Sequence, residues 1–487
     1  RPERSQLPRG RGLQRQPLLN GPRDEIDVAR MGVKLAHETL QAQAGRALQE
    51  PVPADLIHAI QTASAQSSEI SIASKSAYAD TLDFTLYLEQ QITAADGGAS
   101  DIYGWWVIHD GNMAVVSAPS DDIDANVDQG SVYVLTRDGT SWSVQQKLTA
   151  SDGGAGDVFG YSVALLDGDT LLVGAFADDV GGNVDQGSVY FFTRSGSTWS
   201  EQLHLIASDG AAYECFGRAV ALSGDTALIG AYGDFIGGNQ LQGSVYVYTQ
   251  NEESWDFQQK FTALDGAAND QFGWALALDG DTALVGAYVD DVGANMNQGS
   301  AYIFVRDGST WSQQAHLIAP DGAAGDEFGV SVAIDDDTAL VGTWGMVSGA
   351  VRPGSVYVYT RAETTWSLQQ TLTASDGVPG DHLGYAVSLD GDTALVGAPW
   401  DDVGANADQG SAYVFVRRGT TWSEQAHVIA FDGAANDRYG ISTALLGNTA
   451  LVGSYLVDVG DNINQGAAYF YLELHQVYLP LAQRNTP

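Results

Sequence analysis

From about residue 85 to 474 the hydrophobic positions come in short bursts, each hemmed in by Gly, Asp and Asn. One stretch reads FGYSVAL, then TLLVGAF, SVYFFTR and WSEQLHLIA. Bursts of this length, rich in Val, Leu, Tyr and Phe and bounded by turn formers, predict β-strands. No segment between 91 and 474 shows the 3.6-residue period of a helix. Asp167-Gly168-Asp169 predicts a tight hairpin between the first and second strands, because Gly supplies the positive φ of a two-residue turn. Ser195-Gly196-Ser197 turns the third strand into the fourth. A Trp opens that fourth strand at Trp142, Trp199, Trp255, Trp311, Trp366 and Trp422.

This four-strand script is repeated. Asp-Gly-x-x-x-Asp-x-Phe-Gly recurs, with variations, from Asp96, Asp152, Asp209, Asp265, Asp321, Asp376 and Asp432, at spacings of 56, 57, 56, 56, 55 and 56 residues. Seven such units predict an all-β fold, a seven-bladed β-propeller of four-stranded antiparallel blades, since a ring leaves only short, protected edges. The seam supports closure. The seventh copy ends after its third strand, GAAYFYLE, and the missing fourth strand stands at the other end of the repeats, where TLYLEQQITAADG (85–97) aligns with TWSLQQTLTASDG (365–377). An early strand should therefore complete the last blade. Fourth strands of copies two, four and six carry His204, His316 and His427 where copies one, three and five carry Lys147, Lys260 and Thr371. That alternation points to amplification of blades in pairs, and the histidines are read as ancestry rather than as metal ligands.

Outside the propeller (81–474), residues 1–80 form an N-terminal extension: an Arg-, Gln- and Pro-rich disordered start, one or two short helices over 24–80 and a Ser/Ala-rich linker. Residues 475–487 form a tail. Charge then sharpens the picture. The net charge of −39 falls entirely on residues 91–474, where 11 Lys/Arg face 50 Asp/Glu. Such a surface repels nucleic acid and anionic lipid and attracts cations or basic partners; a high-salt habitat would produce the same bias. The single cysteine, Cys215, excludes an intrachain disulfide and a Cys-based zinc site. No apolar run approaches the roughly 18 residues of a membrane span, so no membrane insertion is expected. No signal-peptide pattern is visible.

Phe159-Gly160, Val173-Gly174-Ala175 and Gly187-Ser188-Val189-Tyr190 show the marks of each copy, and copy six keeps Gly397-Ala398-Pro399. With these residues the chain resembles the FG-GAP repeat family in its bacterial branch, whose more distant relatives form the integrin α-subunit head. The resemblance covers about residues 82–474. It implies a seven-bladed propeller, an exported or cell-surface setting, a role in adhesion or ligand binding, and no catalytic residues. One departure matters. The calcium loop of integrin-type repeats has shrunk here to Asp-Gly-Asp-Thr, as at Asp279-Gly280-Asp281-Thr282, and two carboxylates cannot supply the six to eight oxygens that calcium takes.

In antiparallel blades the four-to-one and two-to-three connections share one end of the ring, which gathers both acidic loops of the repeat. One loop pairs Asp152 with Asp157, Asp265 with Asp270, Asp321 with Asp326, and Asp376 with Asp381. The other carries Asp178, Asp179, Asn183 and Asp185; Asp290, Asp291 and Asn295; and Asp401, Asp402, Asn406 and Asp408. Two readings stand: these oxygens hold Ca²⁺ near the rim, or they close turns and keep a β-rich surface soluble. Ligand specificity should lie where the repeat breaks, at Trp105, Trp106, Tyr213, Phe235, Trp344 and Arg352. The reading that follows is a monomeric, secreted or surface-displayed module that binds a protein or glycan. The alternatives are a carbohydrate-active enzyme with a carboxylate pair in the central funnel, and a purely structural domain.

Overall fold

The computed structural model describes residues 84–475, apart from 140, 252–253 and 346–351. The expectations for the N-terminal extension, and for the tail beyond His475, lie outside the described residues. Within them the chain is all β, with 28 strands and no helix.

Alternation and turn chemistry produce each blade. In blade one, β2 (Val107–Asp110), β3 (Met113–Ala118), β4 (Ser131–Asp138) and β5 (Ser141–Leu148) are hydrogen-bonded in chain order, every pair antiparallel. The second strand is buried along its whole length, whereas the outer β5 alternates between exposed and covered. Five more blades repeat this order. Blade seven is different: β26 (Thr443–Leu446), β27 (Thr449–Ser454) and β28 (Ala467–His475) are joined by β1 (Phe84–Ile92) as the fourth strand. Gln91 pairs with Tyr469 and Ile92 with Ala468, as the alignment of 85–97 with 365–377 requires. The first strands of all seven blades neighbour one another around the axis, including β2 beside β26, so the ring is closed.

Two features of the repeat hold blade to blade. The first is close backbone approach. A Cβ on Gly174 would lie 2.0 Å from the carbonyl oxygen of Gly217, and Gly230 meets Gly273 in the same way. The Gly of Val-Gly-Ala in one blade thus touches the Gly of Phe-Gly in the next, which explains both letters of the motif. It also corrects a boundary: the first strand was expected to start at Phe-Gly, but in blade two it runs from Ser162 to Leu166, after Gly160 at φ 94° has bent the chain across the seam. In blade three the strand does start at Phe216.

The second feature is packing and stapling by the fourth strand. Trp199 is buried in one cluster with Val115, Val132 and Val134 of blade one, and Trp142 packs at a tilt with its ring 4.7 Å from Phe470 of blade seven. Burying each indole removes roughly 150–250 Å² from water. Gln146 of blade one donates to the Trp199 carbonyl (2.9 Å) and accepts from its N–H (2.8 Å). Gln259 does the same for Trp311, and Gln370 for Trp422. In blades two, four and six the matching positions are Leu203, Ala315 and Ala426, and Glu201, Gln313 and Glu424 reach back across these same odd-to-even interfaces to accept backbone N–H groups of Ser151, Leu264 and Ser375. The odd–even alternation is therefore an alternation of interfaces. At the seam, Gln90 of β1 makes the odd-type staple to Trp142 (3.0 and 2.8 Å).

Leu86 of β1 is buried in one cluster with Tyr439, Tyr469 and Tyr471. Leu86→Ala should lower unfolding stability by about 2–4 kcal/mol in urea titrations; an unchanged midpoint would show that β1 contributes nothing to the core.

Candidate functional site

The four-to-one and two-to-three connections do meet at one end. After blade one, Gly156, Val158 and Phe159 donate backbone N–H groups to Val127, Asp128 and Gln129 of its two-to-three loop. Side chains reinforce the pairing. Asn126 donates to the Gln129 amide oxygen (2.8 Å) and to the Gly153 carbonyl (3.0 Å), and Asn406 repeats this with Gln409 and Gly433. Asn183 and Asn295 bond Gln186 and Gln298 alike. These amides knit the loop end into a continuous surface.

The acidic residues of that surface fall into three kinds. One kind closes its own loop: Asp179 accepts the backbone N–H of Asp185, Asp291 that of Asn297, and Asp402 that of Asp408, at 2.8–2.9 Å. A second kind sits on a Lys or His of its own blade. Lys147 pairs with Asp96 (2.8 Å) and Asp121 (2.6 Å), and Lys260 with Asp209 (2.9 Å) and Asp234 (2.5 Å). His204 lies between Asp152 and Asp178, His316 between Asp265 and Asp290, and His427 between Asp376 and Asp401. Tyr hydroxyls of the third strand also donate to these acids, as Tyr190 does to Asp152 (3.0 Å) and Tyr413 to Asp376 (3.1 Å). Burial opposes the charge on Lys147, yet the bonds from Asp121 and Asp96 win and raise its pKa. In His427 burial is likewise outweighed, by the hydrogen bond to Asp401 and the charge of Asp376, and the pKa rises.

The pattern covaries within the chain. Blade seven replaces the loop acid by Val457 and carries neutral Gln91 at the cation position; blade five lacks the acidic loop and carries Thr371. Where the second carboxylate disappears, so does the cation. His204, His316 and His427 therefore stand between paired acids where Lys stands in blades one and three, a placement that the alternation with Lys signals once the geometry is known.

The third kind has no cation partner in most blades. Asp157, Asp270 and Asp381 are buried, and each accepts one backbone N–H from its own turn, at Gly154, Ala267 and Val378. Burial raises all three, with Asp178 and Asp179 adding to the rise at Asp157; Asp270 and Asp381 reach about 6. Asp437 reaches about 6 and Glu214 about 7 for the same reason. Asp326 instead receives Arg352 at 3.2 Å. Among the described residues the three acids whose oxygens converge within 4.8 Å are Asp279, Asp335 and Asp336, at the opposite end of the ring.

Around the axis the repeat loses its symmetry. The residue after each Phe-Gly or its equivalent is Trp105, Tyr161, Arg218, Trp274, Val330, Tyr385 and Ile441 in turn, and all seven line one axial cavity of about 400 Å³. Arg218 lies over the Trp274 ring (3.7 Å) and the Tyr161 ring (4.6 Å). Outside them Trp344 packs against Trp400 (5.8 Å) and Tyr385 (5.4 Å), and Arg438 covers Trp400 at 5.0 Å. No Asp or Glu lines the cavity among the described residues, so the carboxylate pair imagined for an enzyme has no counterpart there.

A model of the FG-GAP repeat matches the chain seven times, at 87–135, 142–192, 199–248, 255–304, 311–359, 366–415 and 422–471. The chain belongs to the FG-GAP repeat family. Each match runs from a fourth strand into the third strand of the next blade, so the first begins inside β1. No curated protein is detectably similar to the chain. Of the positions expected to set specificity in this FG-GAP propeller, Tyr213 and Phe235 are exposed (59% each) on the loop end. Trp105 and Trp106 turn to the axis, where both line the cavity. Trp344 is half-buried in the aromatic group, and Arg352 is engaged by Asp326. Sequence reasoning missed Tyr161, Arg218, Trp274, Tyr385, Trp400 and Arg438. The available signal was a single column of the repeat, the one after Phe-Gly, in which chemistry changes from copy to copy.

The raised carboxyls set a pH dependence. From about pH 4 to 7 the native state holds protons that the unfolded chain has lost, so stability falls as pH rises through that window. Below about 4, Asp96 and Asp209, which are lowered because Lys147 and Lys260 overcome their burial, take up protons and pull the other way. Urea midpoints should therefore peak near pH 4, and Asp270→Asn with Asp381→Asn and Asp437→Asn should flatten the fall toward neutral pH. A midpoint that climbs steadily to pH 7.5 contradicts this.

Proposed function

We propose that this FG-GAP propeller is an extracytoplasmic binding module whose loop end takes a protein ligand. One observation carries the reading. Tyr213, Phe235, Leu264 and Met296 are exposed by 59, 59, 84 and 69%, and they stand on successive connections of that end over blades three and four, where Gly233 bonds Glu214 and Asn269 bonds Gln240. Large apolar side chains over joined loops, rimmed by carboxylates, match the make-up of a protein-docking patch. The acid around them favours a partner with a basic rim. A glycan ligand is the second reading, favoured by Trp344 and Trp400, half-buried rings beside Arg438 on the same end.

Probing protein and glycan arrays with the whole chain separates the two. Tyr213→Ser with Phe235→Ser should weaken a protein ligand at least about ten-fold, and that binding should fade as salt rises. Trp344→Ala with Trp400→Ala should do so for a glycan. Ligand binding indifferent to both pairs would place the site elsewhere.

Calcium has a supporting role in this reading. Buried Asp157 keeps company with Asp178 and Asp179, and Asp381 with Asp401 and Asp402, hard oxygen donors with charge to spare. Thermal melting should move up by a few degrees in millimolar Ca²⁺; constancy up to about 10 mM removes calcium from the proposal.

A further inference from the structure

The axial cavity has a chemistry of its own, distinct from the loop-end surface. All seven first strands contribute to its wall. Along its length the wall is apolar, with Leu165, Leu222, Leu276, Val332, Val387 and Leu445 all partly accessible from within. Several of its polar side chains are spent on backbone carbonyls. Ser331 donates to the Gly384 carbonyl, Ser442 to the Gly104 carbonyl, and His109 bonds the Thr449 carbonyl. Burial depresses the His109 pKa to about 4, so the ring is neutral.

Among the described residues Arg218 is the one Lys, Arg, Asp or Glu on this wall. Nine of the eleven Lys and Arg in residues 91–474 pair with a carboxylate. Of the other two, Arg418 is exposed, while Arg218 is half-buried at the loop-end mouth of the cavity. Tyr161 and Trp274 cover its guanidinium, and among the described residues no side-chain hydrogen bond uses its N–H groups. A guanidinium flanked by rings is held still by π contacts while its in-plane donors stay available for a two-point grip on a planar anion. In a protein with 50 acids in this region, a cation spared from every one of them is itself informative.

We infer that the cavity binds an amphipathic monocarboxylate, its head on Arg218 and its hydrocarbon body between the seven inner strands. A volume of about 400 Å³ falls within the usual range for small-molecule sites, roughly 300–1,000 Å³. The negative surface does not forbid this, because its long-range field decays over about 8 Å at physiological ionic strength.

The test titrates saturated fatty acids of about eight to sixteen carbons into the full chain, with the matching methyl esters and alcohols as controls. Calorimetry and the fluorescence of the wall tryptophans serve as readouts. The expected result is saturable binding of one acid per chain. Affinity should rise about four-fold with each added methylene until the cavity is filled, then level off. Acids should bind at least about ten-fold tighter than esters or alcohols. Arg218→Gln should abolish that preference and leave the thermal midpoint within a few degrees; if the variant does not fold, the acid-against-ester contrast in the natural chain decides. Equal binding of acid, ester and alcohol overturns the assignment of Arg218, and no saturable binding of any acid overturns the site. Neither result touches the loop-end reading, which is scored on Tyr213, Phe235, Trp344 and Trp400.

Discussion

Everything in this molecule depends on the pairing of β1 with β28. A four-stranded blade is curved and amphipathic, and it buries its faces only against two neighbours. Six blades and three strands would leave the third strand of the last blade with an open edge, and Trp142 with half of its pocket missing. β1 supplies both the hydrogen bonds of that edge and the Gln90 staple to blade one. The same strand therefore ends one blade and holds the next. Sequence distance is greatest where structural continuity matters most, with some 380 residues closed into a loop by one antiparallel ladder.

A second constraint is electrostatic. Carboxylates recur at the loop end of every blade, and like charges a few ångströms apart repel by about 1 kcal/mol in water and more when covered. The fold answers in three ways: some acids are consumed as turn closers, some receive a Lys or His from the adjoining strand, and some sit buried at a raised pKa. The last group is the one that is both buried and, in most blades, without a cation. Surface charge in this protein is thus less a coat of independent groups than a set of repeated local assemblies, in which two carboxylates share one Lys or His and the excess stays negative.

Fold and seam were legible because the repeat multiplies weak evidence. A single FGYSVAL burst is ambiguous between a buried strand and a short buried helical segment, but seven copies with hairpin glycines in register are not. The offset of 85–97 against 365–377 revealed closure because the ring needs a fourth strand in every blade. What stayed hidden was orientation. In sequence Trp105 and Trp106 mark only a break in the repeat, because nothing local says that the chain turns inward after Phe-Gly; the Gly104 bend (φ 92°) that aims them at the axis depends on blade-to-blade contact. Arg218 was overlooked for the same reason, since its importance lies in which rings flank it and which acids do not. The alternation of His204, His316 and His427 with Lys reads as descent in the sequence, and only the Asp–Lys and Asp–His pairs of the folded chain show what the alternation preserves.

The register of the seam has a mechanical corollary. Phe84 lies opposite His475 at the outermost rung of the ladder, so the polypeptide enters and leaves the ring at one point. Tension applied between whatever precedes Phe84 and whatever follows His475 would peel that ladder open rung by rung, the weakest way to load a β-pairing, instead of shearing all its rungs at once. Anchored through one flank alone, the ring feels no such pull at its seam. It is a fold suited to hanging from a single tether and ill suited to serving as a link in a stretched chain.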